Sequence, residues 1–98
     1  MREEEQGSAG DRRNHNRTSF NARVKIMHKD LGEVLCNTRD ISDGGVFVLI
    51  SAEQKFPKLG SLVRVQVQGL PVEAPILDMV VVRKGVDGYG LHFLNNYE

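Results

Sequence analysis

FNARVKIMHKDLGEVLCNTRDISDGGVFVLI, residues 20–50, carries three extended segments separated by two turns. Phe20, Ala22, Val24 and Ile26 fall on one side of the first segment, with Asn21, Arg23 and Lys25 on the other. This period of two marks a strand with one buried face. HKDLG (His28 to Gly32) supplies turn chemistry, and Glu33 to Ile41 resumes the extended reading. SDGG (Ser42 to Gly45) turns again into the β-rich run Val46 to Ile50. The whole stretch predicts a meander of antiparallel strands.

Working outward, the pattern repeats. FPKLG (Phe56 to Gly60) breaks the chain, and Val63, Val65 and Val67 then alternate with Arg64, Gln66 and Gln68. GLP (Gly69 to Pro71) precedes a long segment, Val72 to Arg83, in which Pro75 implies a sheet edge or a bulge because proline cannot donate to a ladder. KGVDG (Lys84 to Gly88) forms the last hairpin, and Tyr89, Leu91 and Phe93 alternate to the end. Six short strands with glycine-rich turns predict an all-β fold, a six-stranded antiparallel β-barrel. Closure would remove the sheet edges that such strands otherwise expose. MREEEQGSAGD, residues 1–11, is polar and acidic and is read as a flexible N-terminal tail. Residues 12–98 then form the barrel domain, with 12–17 as a loop in front of it.

Composition narrows the function. The 98 residues give one domain with one modest core, and the 40% apolar content suits a globule. The formal net charge of +0 argues against a nucleic-acid partner held through phosphates, so electrostatic recognition must be local. Cys36 is the single cysteine, which favours a reducing compartment and a cytoplasmic location. No apolar run approaches the roughly 18–20 residues of a membrane span, and the start lacks the apolar stretch of a secretory signal. His15, His28 and His92 lie in separate segments without metal-site spacing. Ser42 has no histidine near it in sequence, and neither a nucleophile elbow nor a phosphate-binding loop is present. The expectation is a protein that is not an enzyme and carries no cofactor.

Two local clusters carry chemistry. In DRRNHNR (residues 11–17), Arg12, Arg13 and Arg17 crowd together with no hydrophobic residue among them. Guanidinium is planar and always charged; it forks two N–H groups at phosphate or at the O6/N7 edge of guanine, and it stacks on bases. In DISDGG (residues 40–45), Asp40 and Ser42 point to the same side of a strand end, offering a carboxylate acceptor and a hydroxyl. The carboxylate suits the N1–H and N2–H₂ donors of guanine, which arginine cannot read. Gly44 and Gly45 allow the backbone to turn or to approach a ligand without a Cβ in the way. Alone, each cluster reads as a solvated segment and a plain hairpin turn. Together they suit a ligand that bears phosphates and guanine at once.

Arg13-x-x-x-Arg17 followed by Asp40-x-Ser42-x-x-Gly45 resembles the paired signature of PilZ domains. The resemblance runs from about Arg12 to Leu94 and includes GYGLHFLN (Gly88 to Asn95), which is similar to the family's last barrel strand. It implies a six-stranded barrel that binds the bacterial second messenger cyclic di-GMP, with Arg13 and Arg17 gripping phosphate and guanine. Asp40 and Ser42 would hold a base edge, and Gly45 would allow close approach. Arg12, just before the first motif arginine, implies two stacked ligands per chain. Arg83 occupies the late-strand region where some members set an arginine or an aromatic against the base. The resemblance further implies an N-terminal loop that orders on the ligand, and a monomeric adaptor signalling to a downstream protein in motility, adhesion or biofilm control. The competing expectation is a small β-barrel module for single-stranded nucleic acid or a protein partner. Such a module usually displays aromatics on its strands, whereas most of the phenylalanines here read as core.

Overall fold

The computed structural model describes residues 17–94. Seven strands form: β1 (Thr18–Ser19), β2 (Arg23–His28), β3 (Gly32–Ile41), β4 (Gly45–Leu49), β5 (Leu62–Val67), β6 (Leu77–Lys84) and β7 (Gly88–Phe93). All pairings are antiparallel, in the order β3-β2-β5-β6-β7-β4, and β4 pairs back onto β3 to close the ring. The result is the expected six-stranded barrel, with β1 added outside it against the far end of β3.

The inward face is the one that the alternation marks. Val24 and Ile26 of β2, Val34 and Cys36 of β3, Val63 and Val65 of β5, and Met79 and Val81 of β6 all sit in one core cluster. Each fully buried side chain of this size contributes about 1.5–3 kcal/mol relative to exposure. Tyr89 and Phe93 are partly buried against that core, as their alternation predicts. Burial pushes the Cys36 thiol up to about 11, partly opposed by the charge of Arg23.

Two boundaries differ from the sequence reading. The first barrel strand begins at Arg23 rather than Phe20, because the buried Thr38 interrupts the ladder there. Its hydroxyl accepts the Ala22 N–H at 2.8 Å and donates to the Phe20 carbonyl. Phe20 is consequently exposed rather than packed inside. The strand read over 72–83 runs instead from Leu77 to Lys84. Residues 69–76 connect β5 to its neighbour β6 without ladder pairing, starting at Gly69 (φ +83°) and tied down by a 2.7 Å bond from Gln66 Nε2 to the Ala74 carbonyl. Pro75 therefore precedes the strand, and the irregularity in β6 falls between Val81 and Arg83.

The longest strand positions the site. The first half of β3 pairs with β2 and its second half with β4, so β3 bends around the barrel. Its register with β4 shifts between Thr38 and Asp40, leaving Arg39 as the extra residue of a bulge.

Candidate functional site

The short strand β1 pairs Thr18 with Ile41 and Ser19 with Asp40. That register sets the preceding residue, Arg17, against the end of β3. Its guanidinium contacts Asp40 Oδ1 through Nε and Nη2, both at 2.5 Å, and its Nη1 donates to Ser42 Oγ at 3.2 Å. Three residues from the two sequence clusters, 23 and 25 positions apart, thus meet in one constellation. Arg12 and Arg13 lie outside the described residues.

The other Asp40 oxygen is also engaged. Arg39 Nε donates to Asp40 Oδ2 at 2.8 Å, and Arg39 Nη1 lies 3.4 Å from Asp87 Oδ1 in the turn between β6 and β7. Burial alone would raise the Asp40 carboxyl, but hydrogen bonds from Arg39 and Arg17, together with their charges, outweigh it. The group is held below its ordinary value and stays ionised.

Beneath Arg39 lies Phe47. Val46 and Val48 of β4 join the core, and Phe47 between them points outward, opposite Asp40 on β3 and Gly90 on β7. It is nevertheless only 1% exposed. Glycines let the ring lie against the barrel wall: a Cβ on Gly85 would come within 3.0 Å of Phe47 Cζ, and one on Gly88 within 2.9 Å of Cε2. Two guanidiniums cover the ring, with Arg39 Cζ 4.0 Å and Arg83 Cζ 5.4 Å from its centroid. The expectation that most phenylalanines are core holds for Phe47 in burial, but on the outer side of the wall. Neither Arg39 nor Phe47 is among the residues that the sequence marks for the site. Only the bulge in the β3–β4 register brings out Arg39, and β4 offers no signal for Phe47, being buried on both faces.

The glycines of the motif behave differently from each other. Gly44 is exposed, and a Cβ there would meet nothing within 4 Å. Gly45 is buried opposite His92, and a Cβ there would collide with the Leu91 carbonyl of β7. The structure therefore gives Gly45 a reason besides ligand approach: β4 and β7 close the barrel at this point. Arg83, Gly45 and Arg17 line one shallow hollow of about 30 Å³ together with Gly90 and His92. His92, exposed across from Gly45, is a further polar group on this face that the motif reading did not include.

A broader concavity of about 780 Å³ lies elsewhere, lined by Met27, His28, Leu62, Val63, Asp78 and Leu94 among others, and contains none of the motif residues. Its Arg64 is paired with Asp78 at 3.4 Å. Size favours that groove, but converging donors and acceptors favour the Arg17–Asp40–Ser42 face. Recognition of a charged, hydrogen-bonding ligand depends on the second property.

The sequence matches the family model of the PilZ domain over residues 11–98. The chain belongs to the PilZ domain family. This is a family of cyclic di-GMP receptors with a regulatory rather than a catalytic role. Among solved structures, this PilZ domain is similar to the inhibitor of motility of Bacillus subtilis (MotI/DgrA), with a TM-score of 0.64 and 20% sequence identity. The match covers 87% of this chain and 44% of that one, so the PilZ domain described here spans under half of that protein's length. At this identity the likeness shows the shared barrel fold. No curated protein matches the sequence. No helix among the described residues is long and apolar enough to cross a membrane.

Proposed function

We propose that this PilZ domain is a non-enzymatic receptor for cyclic di-GMP and that Arg17, Asp40 and Ser42 form the described part of its site. The observation that carries the reading is the Arg17 guanidinium held between Asp40 Oδ1 and Ser42 Oγ. In the free protein this pairing leaves neither charge uncompensated. A cyclic dinucleotide offers a better partner to each: its phosphates suit Arg17, and the N1–H and N2–H₂ edge of guanine suits the Asp40 carboxylate. Binding then exchanges one protein ion pair for two complementary ligand contacts. A simple phosphate would satisfy Arg17 and leave Asp40 facing an anion, so the constellation selects for base and phosphate together.

Arg12 and Arg13 contribute further guanidiniums from the segment before β1, and three arginines offset the charge of two stacked dianionic ligands. Arg83, in the same hollow as Arg17, borders the ligand. The N-terminal segment orders around the ligand, and the wrapped surface is read by a downstream protein. The receptor acts as a monomer in the bacterial cytoplasm, without a cofactor. Motility control is the favoured output, because the similar solved structure is that of an inhibitor of motility.

The test is calorimetric titration of the purified protein with cyclic di-GMP, GTP and a short single-stranded oligonucleotide side by side. Binding of the dinucleotide alone, at a stoichiometry near two, is the expected outcome. Preference for the oligonucleotide, or no dinucleotide binding at tens of micromolar, contradicts the reading.

A further inference from the structure

We propose that Arg39, stacked on Phe47, is a positioning residue that fixes the Asp40 carboxylate for its ligand. The proposal rests on the receptor reading above, and it concerns a residue outside both motif clusters.

Arg39 is held by three contacts, one on β4, one on its own strand and one in the β6–β7 turn. Its guanidinium carbon stands 4.0 Å above the Phe47 ring of β4. Its Nε donates to Asp40 Oδ2 at 2.8 Å, and its Nη1 reaches Asp87 Oδ1 at 3.4 Å. The bulge that makes Arg39 the extra residue of β3 lets it and Asp40 meet as sequence neighbours. A guanidinium held over an aromatic ring and bonded to two carboxylates has fewer orientations open to it than one free in solvent, which narrows the direction of its N–H groups. The ring in turn lies against the wall in the space that the missing Cβ atoms of Gly85 and Gly88 leave for it.

The two arginines on Asp40 therefore differ in kind. Arg39 is anchored through β4 and the β6–β7 turn and takes Oδ2. Arg17 belongs to the segment that precedes the barrel and takes Oδ1. When a ligand draws Arg17 away, Arg39 still holds the carboxylate plane and leaves Oδ1 turned toward the donors of the base. Without Arg39 the carboxylate rotates freely, and its orientation must be fixed at the expense of binding.

The experiment is a double-mutant cycle read by calorimetry with cyclic di-GMP, on folded variants checked by circular dichroism. Wild-type binding comes first: if it is absent, the receptor reading has failed and the cycle is not reached. Given wild-type binding, Arg39→Ala should weaken affinity about tenfold. In an Asp40→Asn background the same substitution should cost less than about twofold, because Arg39 acts only through the carboxylate. Arg39→Lys keeps the charge but loses the planar stack, and should restore only part of the loss. Phe47→Leu tests the platform, and the arginine variants carry the test if that core-sized change unfolds the barrel. Wild-type or tighter affinity in Arg39→Ala overturns the proposal, the latter by making Arg39 a competitor for Asp40. An equal loss in both backgrounds also overturns it, by making Arg39 a direct ligand contact.

Discussion

Gly45→Ala should damage the fold before it touches any ligand. The added Cβ would collide with the Leu91 carbonyl, and it would stand 2.9 Å from the Leu91 carbonyl carbon and 3.0 Å from His92 Cα. All three atoms are backbone of β7, so no side-chain rotation relieves the overlap. Either β4 or β7 must move where the two close the barrel. Overpacking of this kind costs about 1–3 kcal/mol. The movement also strains the 2.8 Å bond from the Ser42 N–H to the Gly45 carbonyl and the 3.0 Å bond from the Phe93 N–H to the Gly44 carbonyl. Losing one of them adds about 1 kcal/mol. The sum, roughly 3 kcal/mol, is a large share of the stability of a small domain and corresponds to a fall in Tm of about 15 °C. Gly44→Ala is the internal control: a Cβ there meets nothing within 4 Å and no left-handed φ forbids it, so its Tm should stay within about 3 °C of wild type. Thermal unfolding followed by circular dichroism, without ligand, decides the matter. If both variants melt with the wild type, Gly45 has no part in closing the barrel, and the reasoning from β4–β7 contact is wrong.

Other consequences are as direct. Arg17→Ala should lose at least about 2 kcal/mol of cyclic di-GMP binding, the worth of charge-assisted bonds, while leaving Tm nearly unchanged, because the side chain is exposed and outside the core. Calorimetry and melting of the same sample check both halves. Asp40, held below its ordinary value by Arg39 and Arg17, contributes stability above the unfolded pKa near 4 and loses it as pH falls through the folded value. Asp40→Asn should accordingly melt lower than wild type at pH 7, and the gap should narrow as pH falls below about 4. Cys36, raised to about 11, works in the opposite sense: the unfolded thiol ionises near 9 while the folded one does not, so stability declines as pH rises from about 9 toward 11. At pH 8 the native thiol should resist alkylation by iodoacetamide and react only after urea is added, as mass spectrometry would show.

Most of the barrel was legible because its strands have one wet face. Val24 and Ile26, or Val63 and Val65, alternate with polar neighbours, and period two then reports direction as well as conformation. The rule fails where both faces are covered. In β4 every residue from Gly45 to Val48 is buried, so nothing in the string distinguishes Phe47, under two arginines on the outer wall, from Val48 in the core. It fails again where pairing is too short to show a period. β1 is two residues long, yet it is what delivers Arg17 to Asp40. The Phe20–Ala22 segment misled because Thr38, a side chain, takes hydrogen bonds that a regular ladder would supply. Asp40 and Ser42 were recognisable from type and spacing alone. Arg39 was not, since its significance comes from a bulge that only the register with β4 reveals.

The central claim is that ligand recognition centres on the end of β3 and not on the larger groove. A ¹⁵N-HSQC titration of the folded protein with cyclic di-GMP tests it most directly. The account predicts that the strongest amide shifts fall on Arg17 to Ser19 and on Asp40 to Gly45, with those of Met27, Leu62 and Leu94 unmoved. Shifts concentrated around Met27, Leu62 and Leu94, with Asp40 and Ser42 silent, would contradict it.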